Sequence, residues 1–196
     1  LRRKLPETSE AQGLIKDIIN EAKMANAIVQ EVLDFVRPIR LQVVPVDVRE
    51  ILRAALSLSE SKIPRRDTVV TLVLPDQLPA LQGDTYQLTQ LFTNLLTNAC
   101  EALEGRGAIT VTAIVVPHAG GASGQAIELT VADTGPGMPQ DVADKVFDPF
   151  FTTKAQGSGL GLAIVRKIVD AHDGRLRLRT APGSGTTITV TLPSQH

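Results

Sequence analysis

The sequence lacks the features that mark several classes of protein. It has one cysteine, Cys100, so no disulfide can form within the chain. No apolar run approaches the roughly 18 residues that a membrane-spanning helix needs, and no signal peptide is recognisable. The formal net charge is −1, which argues against bulk nucleic acid or an anionic membrane as a partner. These absences favour a cytoplasmic globular protein.

Aromatic residues are also scarce, at 3% of the chain, and tryptophan is absent. Three of the five phenylalanines lie close together, at Phe147, Phe150 and Phe151. The length of 196 residues allows one domain with an additional element, or two small domains. Because the chain begins at Leu1 and not at methionine, we expect a fragment whose missing N-terminal part would carry any membrane attachment.

A long helix is predicted over residues 10–37. Apolar residues recur there at alternating steps of four and three positions, the seam of a coiled coil or helical bundle: Ala11, Ile15, Ile18, Ala22, Ala25, Val29, Val32 and Val36. Thr8 or Ser9 is available as the N-cap, and Pro38 ends the helix because proline lacks an N–H donor. Residues 1–5 would end an earlier, antiparallel helix. A lone hairpin cannot bury so wide a stripe, so we expect a homodimer; a helix packed on its own domain is the alternative.

The remainder of the chain mixes strands and helices, and several strands are joined by hairpins. The predicted strands cover residues 43–47, 68–74, 80–82, 108–116, 126–133, 174–180 and 186–192. The predicted helices run to about residue 62 after an Asp47 cap, to about residue 103 after an Asp84 or Thr85 cap, and from residue 158 to 171. This order predicts an α+β two-layer sandwich, with a mixed, mostly antiparallel sheet and helices on one face.

Two carboxamides, Asn94 and Asn98, are four positions apart and therefore share one face of a predicted helix. A buried carboxamide needs a partner, because an unpaired polar group is costly to bury. Neutral oxygen ligands suit Mg²⁺, which prefers hard oxygens and keeps waters and phosphates in its shell. Surface or capping roles are the alternative for this pair.

Asp133 ends a predicted strand and is followed by Thr-Gly135-Pro-Gly137. A carboxylate at a strand end can accept a hydrogen bond from an exocyclic amine, and glycine lets the backbone approach a flat base closely. A plain turn after the strand is the alternative interpretation of this segment.

A glycine-rich segment, Gly157-Ser-Gly159-Leu-Gly161, opens a predicted helix. The N–H groups at a helix N-terminus attract phosphate, and glycine removes side chains that would block it. The segment is not a P-loop, since no Lys-Ser or Lys-Thr pair follows the glycines. Lys154 is a candidate counter-charge to phosphate, and the phenylalanine-rich segment around it is a candidate lid.

Four segments together resemble, in order and spacing, the N, G1, F and G2 boxes of the sensor histidine kinases: residues 94–102, 133–138, 147–154 and 157–163. The resemblance extends from about residue 43 to the end. Gly183-Ser-Gly185-Thr186 is similar to a weaker glycine segment of that family, and Asp34-Phe-Val-Arg-Pro38, at the end of the long helix, resembles the end of its dimerisation domain. The resemblance implies a partial dimerisation and phosphotransfer domain over residues 1–40 and an ATP-binding catalytic domain over residues 41–196.

The resemblance also implies roles for individual residues. Asp133 would accept a hydrogen bond from the adenine amino group, Asn98 would ligate Mg²⁺, and Asn94 would lie close to the phosphates. The full set assigned to ATP binding on this basis is Asn94, Asn98, Asp133, Gly135, Gly137, Phe150, Lys154, Gly157, Ser158, Gly159, Leu160, Gly161 and Thr186.

The departure from the family pattern concerns the phospho-accepting histidine, which the family carries on its first dimerisation helix. None of the three histidines, His118, His172 and His196, lies on a predicted bundle helix, so none is assigned. His172 is interpreted as a C-terminal helix cap that favours the helix dipole.

The resemblance implies a catalytic fragment that uses Mg-ATP to phosphorylate a histidine on the missing helix, for relay to a response regulator aspartate. By itself the fragment would not autophosphorylate. No nucleic-acid partner is expected, and the chain would be the cytoplasmic portion of a sensor that reaches a membrane only through its missing part. The alternatives are a catalytically silent ATP-binding and dimerisation module, a protein serine kinase and a different ATPase on the same fold.

Overall fold

The computed structural model describes residues 10–60, 67–117, 124–154 and 157–194. The chain divides into two compact units, with the boundary between Pro38 and Ile39. The predicted earlier helix over residues 1–5 and its N-cap candidates Thr8 and Ser9 lie outside the described residues.

The described part of the first unit is one helix, α1, from Glu10 to Val36. It ends two residues before Pro38, as the sequence predicts, and Arg37 still donates its N–H to the carbonyl of Leu33. Several side chains of its apolar stripe are exposed in the single chain, including Ile18 at 67% and Val29 at 52%. The stripe therefore lies open on this helix.

The described residues of the second unit form eleven elements. The strands are β1 (Val44–Val46), β2 (Asp67–Val73), β3 (Leu81–Gly83), β4 (Arg106–Pro117), β5 (Gln125–Asp133), β6 (Arg175–Thr180) and β7 (Thr186–Pro193). The helices are α2 (Val48–Glu60), α3 (Thr85–Leu103), α4 (Gln140–Ala143) and α5 (Gly161–Ala171). Asp84 is the N-cap of α3, since its side chain accepts the N–H of Gln87.

The main sheet has five strands in the order β2-β4-β5-β7-β6. Only the β2–β4 pair in this sheet is parallel, and the other three pairs are antiparallel. β1 and β3 form a separate antiparallel pair. Helix α3 contacts α2, α5 and the centre of the sheet. This arrangement confirms the predicted α+β two-layer sandwich with a mixed, mostly antiparallel sheet.

The hydrophobic core lies between the sheet and these helices. It contains the inward-facing side chains of β4 and β5, such as Ile109, Val111 and Leu129, together with Phe92 and Leu91 of α3. Cys100 is buried in the same layer. Burial and the nearby negative charge of Glu101 raise the pKa of its thiol, which fits a packing role for this residue.

His172 is the C-cap of α5, as predicted. It does not act through a positive charge that interacts with the helix dipole, as the sequence suggests. The side chain is buried. Its Nδ1 lies 2.8 Å from the carbonyl oxygen of Ile168, and its Nε2 accepts the N–H of Asp84 at 3.1 Å. Nε2 accepts a hydrogen bond, and Nδ1 can only donate one to a carbonyl, so these two contacts require the neutral tautomer with its proton on Nδ1. It joins the end of α5 to the beginning of α3.

Two local features differ from the prediction. Helix α5 begins at Gly161 and not at Ser158, because Gly159 has a left-handed φ of 72° that a helix does not allow. The second difference is the short helix α4, which has four residues. It was not predicted, because so few positions show no periodic apolar pattern.

Candidate functional site

Asp133 is held by backbone groups from two different turns. Its Oδ1 accepts the N–H of Gly135 at 2.8 Å and the N–H of Thr186 at 3.2 Å. Its Oδ2 accepts no hydrogen bond within the described part of the chain. Burial raises the pKa of this carboxyl, and the two N–H donors oppose that shift only in part. The result is a fixed, half-buried carboxylate with one oxygen left for a donor from a ligand.

The turn after Asp133 packs directly against the β6–β7 turn. A Cβ on Gly137 would lie 2.0 Å from the carbonyl oxygen of Ala181, and a Cβ on Gly185 would lie 2.0 Å from that of Asp133. Both glycines have left-handed φ values, of 65° and 71°. Only glycine satisfies both constraints, so these two residues place Asp133 correctly whether or not they contact a ligand.

Thr180, at the end of β6, joins the same two turns. Its hydroxyl accepts the N–H of Met138 at 2.9 Å and donates to the carbonyl of Gly185 at 3.0 Å. It also lies 3.2 Å from the hydroxyl of Thr186. Thr180 is not predicted from the sequence, because a single threonine among those of β6 and β7 carries no local signal.

Asn94 and Asn98 lie half-buried on one face of α3, as predicted, and both side chains lie near Gly161 at the beginning of α5. Nδ2 of Asn94 donates to the carbonyl of Gly161 at 3.3 Å, which ties the two helices together. Asn98 is the nearest neighbour of the space in front of Gly161. Apart from its chain neighbours and the backbone of its own helix, a Cβ on Gly161 would have only Nδ2 of Asn98, at 3.8 Å, within 4 Å among the described residues.

The loop before α5 is compact and leaves the helix N-terminus without a cap. Gly159 accepts the N–H of Phe150 at 3.1 Å, and a Cβ on Gly159 would lie 2.5 Å from the carbonyl carbon of Phe150. Leu160, at the N-cap position, provides no side-chain hydrogen bond to the helix. The first N–H groups of α5 therefore remain available to an anion.

Three residues that the sequence assigns to ATP binding, Phe150, Ser158 and Leu160, differ in burial and in contacts. Leu160 is completely buried, and its N–H donates to the hydroxyl of Ser158 at 3.2 Å. Phe150 is 62% exposed and has a left-handed φ of 65°, an uncommon conformation for a bulky residue. Ser158 thus stabilises the loop, while Phe150 presents its ring to solvent.

Lys154 reaches α3 from the phenylalanine-rich segment. Its Nζ lies 2.5 Å from Oε2 of Glu101 and 3.4 Å from Oδ1 of Asn98. Glu101 is not among the residues assigned to the site from the sequence. Its spacing from Asn98, three positions on a helix, was the signal that could have identified it.

The predicted residues therefore form two groups, both of which border α3. Asp133, Gly135 and Thr186 lie together, and Gly135 is close to Ala102 near the end of α3. Asn94, Asn98, Lys154 and Gly161 meet one to two turns earlier on that helix.

A separate cavity of about 600 Å³ contains none of the predicted residues; it is lined by Glu128, Arg166, Asp170, Asp173, Arg175, Arg177 and eight others.

Residues 83–196, more than half of the chain, match the family model described as histidine kinase-, DNA gyrase B-, and HSP90-like ATPase. Sensor histidine kinase ZraS of Escherichia coli K12 is 36% identical over 188 residues, which cover 96% of this chain and 39% of ZraS. The kinase AtoS of the same organism is 33% identical over 182 residues, which cover 93% of this chain and 29% of AtoS. The chain thus spans about two fifths of the length of ZraS.

Solved structures show the same relationship. Full-length ShkA, crystallised with AMPPNP, superposes with a TM-score of 0.79 at 25% identity, over 98% of this chain and 41% of ShkA. The catalytic domain of histidine kinase ThkA gives a TM-score of 0.68 at 28% identity, over 78% of this chain and 96% of that domain. The chain therefore belongs to the histidine kinase-, DNA gyrase B- and HSP90-like ATPase family, and it contains the ATP-binding catalytic domain of a sensor histidine kinase.

Proposed function

We propose that this chain binds Mg-ATP and transfers the γ-phosphoryl group to a histidine on a first dimerisation helix, for relay to an aspartate of a response regulator. The observation that carries the proposal is the pair of features bordering α3. One is a fixed carboxylate with a free acceptor oxygen. The other is an uncapped helix N-terminus with open space in front of Gly161. These features suit an adenine and a phosphate chain, respectively.

At the adenine end, Asp133 is the recognition residue. Because its Oδ1 is already occupied by two N–H donors, Oδ2 is the atom that accepts the exocyclic amine. A guanine presents a carbonyl oxygen at the corresponding position, which a carboxylate repels. The geometry therefore favours adenine nucleotides over guanine nucleotides.

At the phosphate end, the N–H groups at the beginning of α5 and the ammonium of Lys154 supply positive charge. The carboxamide of Asn98 borders the open space in front of Gly161, and its oxygen is a hard donor of the kind that suits a hydrated Mg²⁺ with phosphate ligands. Asn98 would hold Mg²⁺, which when bound neutralises charge on the β- and γ-phosphates. Asn94 keeps the N-terminus of α5 in place through Gly161.

In the reaction, a histidine nitrogen attacks the γ-phosphorus and the bond to the β,γ-bridging oxygen breaks, which releases ADP. The protein contributes mainly position and charge. His172 is not the acceptor, because it is buried and both ring nitrogens are engaged. His118 and His196 lie outside the described residues. By the resemblance to sensor histidine kinases, the acceptor is expected on a first dimerisation helix that precedes α1.

The proposed organisation assigns residues 1–40 to a dimerisation and phosphotransfer domain and residues 41–196 to the catalytic domain. Dimers form through residues 10–37, supported by the open apolar stripe of α1. Histidine kinase ThkA has been crystallised in complex with the response regulator TrrA, which supports a receiver-domain partner here.

None of the described helices is long and apolar enough to cross a membrane. We place the chain in the cytoplasm, as part of a sensor whose remaining segments provide any membrane attachment.

The proposal is tested by titrating ATP into the chain with Mg²⁺, by calorimetry, and then supplying the first dimerisation helix of the full-length protein in trans. Saturable binding and an acid-labile phosphorylated product are expected, since phosphohistidine is acid-labile. Absence of binding would refute the proposal. Binding without phosphotransfer in the full-length protein would favour a silent module, and an acid-stable product would favour a serine kinase.

A further inference from the structure

The Lys154 ammonium contacts two side-chain oxygens of α3 at once. It lies 2.5 Å from Oε2 of Glu101 and 3.4 Å from Oδ1 of Asn98. The two oxygens come from positions three apart on one helix face, so a single cation reaches both. One of them, Oδ1 of Asn98, is the oxygen expected to hold Mg²⁺.

We propose that Asn98 and Glu101 form one cation position, which Lys154 fills in the nucleotide-free chain and Mg²⁺ fills in the nucleotide complex. This inference rests on the proposed function and adds Glu101 to the metal-binding residues. A carboxylate and a carboxamide are hard oxygen donors of the kind that Mg²⁺ prefers. Displacement of the ammonium releases Lys154 toward the phosphates, where its charge is needed.

The exchange is feasible because the ion pair is only half-buried. The side chains of Lys154 and Glu101 are both 44% exposed, and the net contribution of such a pair is small. Without Mg²⁺, Glu101 competes with the phosphates for Lys154, and its negative charge lies beside theirs. With Mg²⁺, Glu101 contributes an oxygen to the cation. Glu101 therefore makes nucleotide binding depend on Mg²⁺.

The first test compares Glu101→Gln with Glu104→Gln. Glu104 is exposed at the end of the same helix, so the control loses the same charge one turn away. The affinity for a non-hydrolysable ATP analogue is measured in Mg²⁺ and in EDTA. The dissociation constant in EDTA divided by that in Mg²⁺ gives the dependence on the metal. This ratio is expected to fall about three- to tenfold in Glu101→Gln, from the loss of one charge-assisted contact, and to stay unchanged in Glu104→Gln. An unchanged ratio in Glu101→Gln would overturn the inference.

The second test needs no nucleotide. The rate at which an amine-acylating reagent modifies Lys154 is measured by mass spectrometry. Glu101→Gln is expected to raise this rate about two- to fivefold, and high salt should do the same in the wild type by screening the pair. Equal rates in both proteins would show that Glu101 does not hold the lysine. A wild type without Mg-ATP binding would refute the proposed function itself, whereas normal binding with an unchanged ratio refutes the role of Glu101 alone.

Discussion

At the scale of single residues, the contacts of Asp133 and Gly161 define the two ends of the candidate site. Asp133 has one oxygen committed to two backbone donors and one left over. Gly161, in contrast, is a helix position that the surrounding protein would allow to be larger. The open space at this position adjoins the uncapped N-terminus of α5, which suits an anionic ligand. Substitution of either residue is expected to weaken ATP binding without lowering stability, which distinguishes a binding role from a structural one.

Asp133→Asn is expected to weaken ATP binding about 10- to 100-fold, the loss of one hydrogen bond to a charged group. The amide oxygen must replace Oδ1 as acceptor, so the amide NH₂ faces the donor of adenine. The thermal midpoint should not fall, because the variant no longer buries a charge. Calorimetry and thermal melting measure both quantities, with the exposed Asp141→Asn as control. A large loss of stability would contradict this account of the site.

The pH dependence of stability gives a second check on the same carboxyl. Its folded-state pKa lies above the ordinary value of 3.8 because of burial. Between these two values, the folded chain retains a proton that the unfolded chain has released. The contribution of this group to the free energy of unfolding therefore falls as pH rises through that window. Denaturant titrations across the window should show this component in the wild type and not in Asp133→Asn.

Gly161→Ala is expected to abolish measurable ATP binding while leaving stability unchanged or raising it by up to about 1 kcal/mol, since alanine favours helix. The added Cβ has no close protein neighbour among the described residues but enters the proposed phosphate space. Gly13→Ala is the control, because that helical glycine of α1 also has open surroundings. It should show the same tolerance in denaturation and normal nucleotide affinity. Unimpaired ATP binding by Gly161→Ala would place the phosphates elsewhere.

At the scale of elements, α3 and two turns organise the site. Helix α3 presents the carboxamides and Glu101 on one face and is anchored at its N-terminus by Asp84 and His172. The turn after β5 and the turn between β6 and β7 fix Asp133 through backbone contacts. The site residues come from elements far apart in sequence, so the antiparallel pairing of β5 with β7 is what brings the two turns together.

Gly185→Ala is expected to lower the free energy of unfolding by about 2–4 kcal/mol, since it combines a left-handed backbone with a collision against the Asp133 carbonyl. Gly183→Ala, in the same turn, has a similar φ of 77° but no atom of the described residues within 4 Å of the added Cβ. The control should cost only about 1–2 kcal/mol. Chemical denaturation compares the two, and equal losses would mean that the contact between the turns is unimportant.

At the scale of the whole molecule, the chain consists of a long helix and a sandwich domain with a boundary at Pro38. The helix has an open apolar stripe, whereas the second unit has its own core. A chain with one self-sufficient unit and one incomplete unit is consistent with a catalytic domain attached to a dimerisation element.

Val29→Glu is expected to shift the chain toward monomer, because it places a charge within the apolar stripe of α1. Val29 is 52% exposed in the single chain, so the folded monomer tolerates the change. Gln30→Glu adds the same charge at the neighbouring exposed position. Sedimentation equilibrium should show a dissociation constant at least about tenfold higher for Val29→Glu than for the control. Identical behaviour of the two variants would exclude this face as the dimer contact.

Most elements of the fold follow from local patterns. The heptad spacing gives α1 and Pro38 gives its end. Alternating β-branched residues give β4 and β5, and Asp84 gives the beginning of α3. The start of α5 was misplaced by three residues, because the left-handed Gly159 is fixed by the Phe150–Gly159 contact and not by its neighbours in sequence.

The sequence by itself determined which segments to consider, namely the Asp133 turn, the two carboxamides and the glycine loop, because their residue types, order and spacing together resemble the sensor histidine kinases. Only the tertiary structure decided which partners they have. It placed Thr180 and Gly185 against the Asp133 turn, made His172 a neutral link between helices, and put Lys154 between Asn98 and Glu101. These contacts join residues from separate elements, and hydrogen bonds and ion pairs between distant segments depend on strand pairing and helix packing, which residue spacing does not encode.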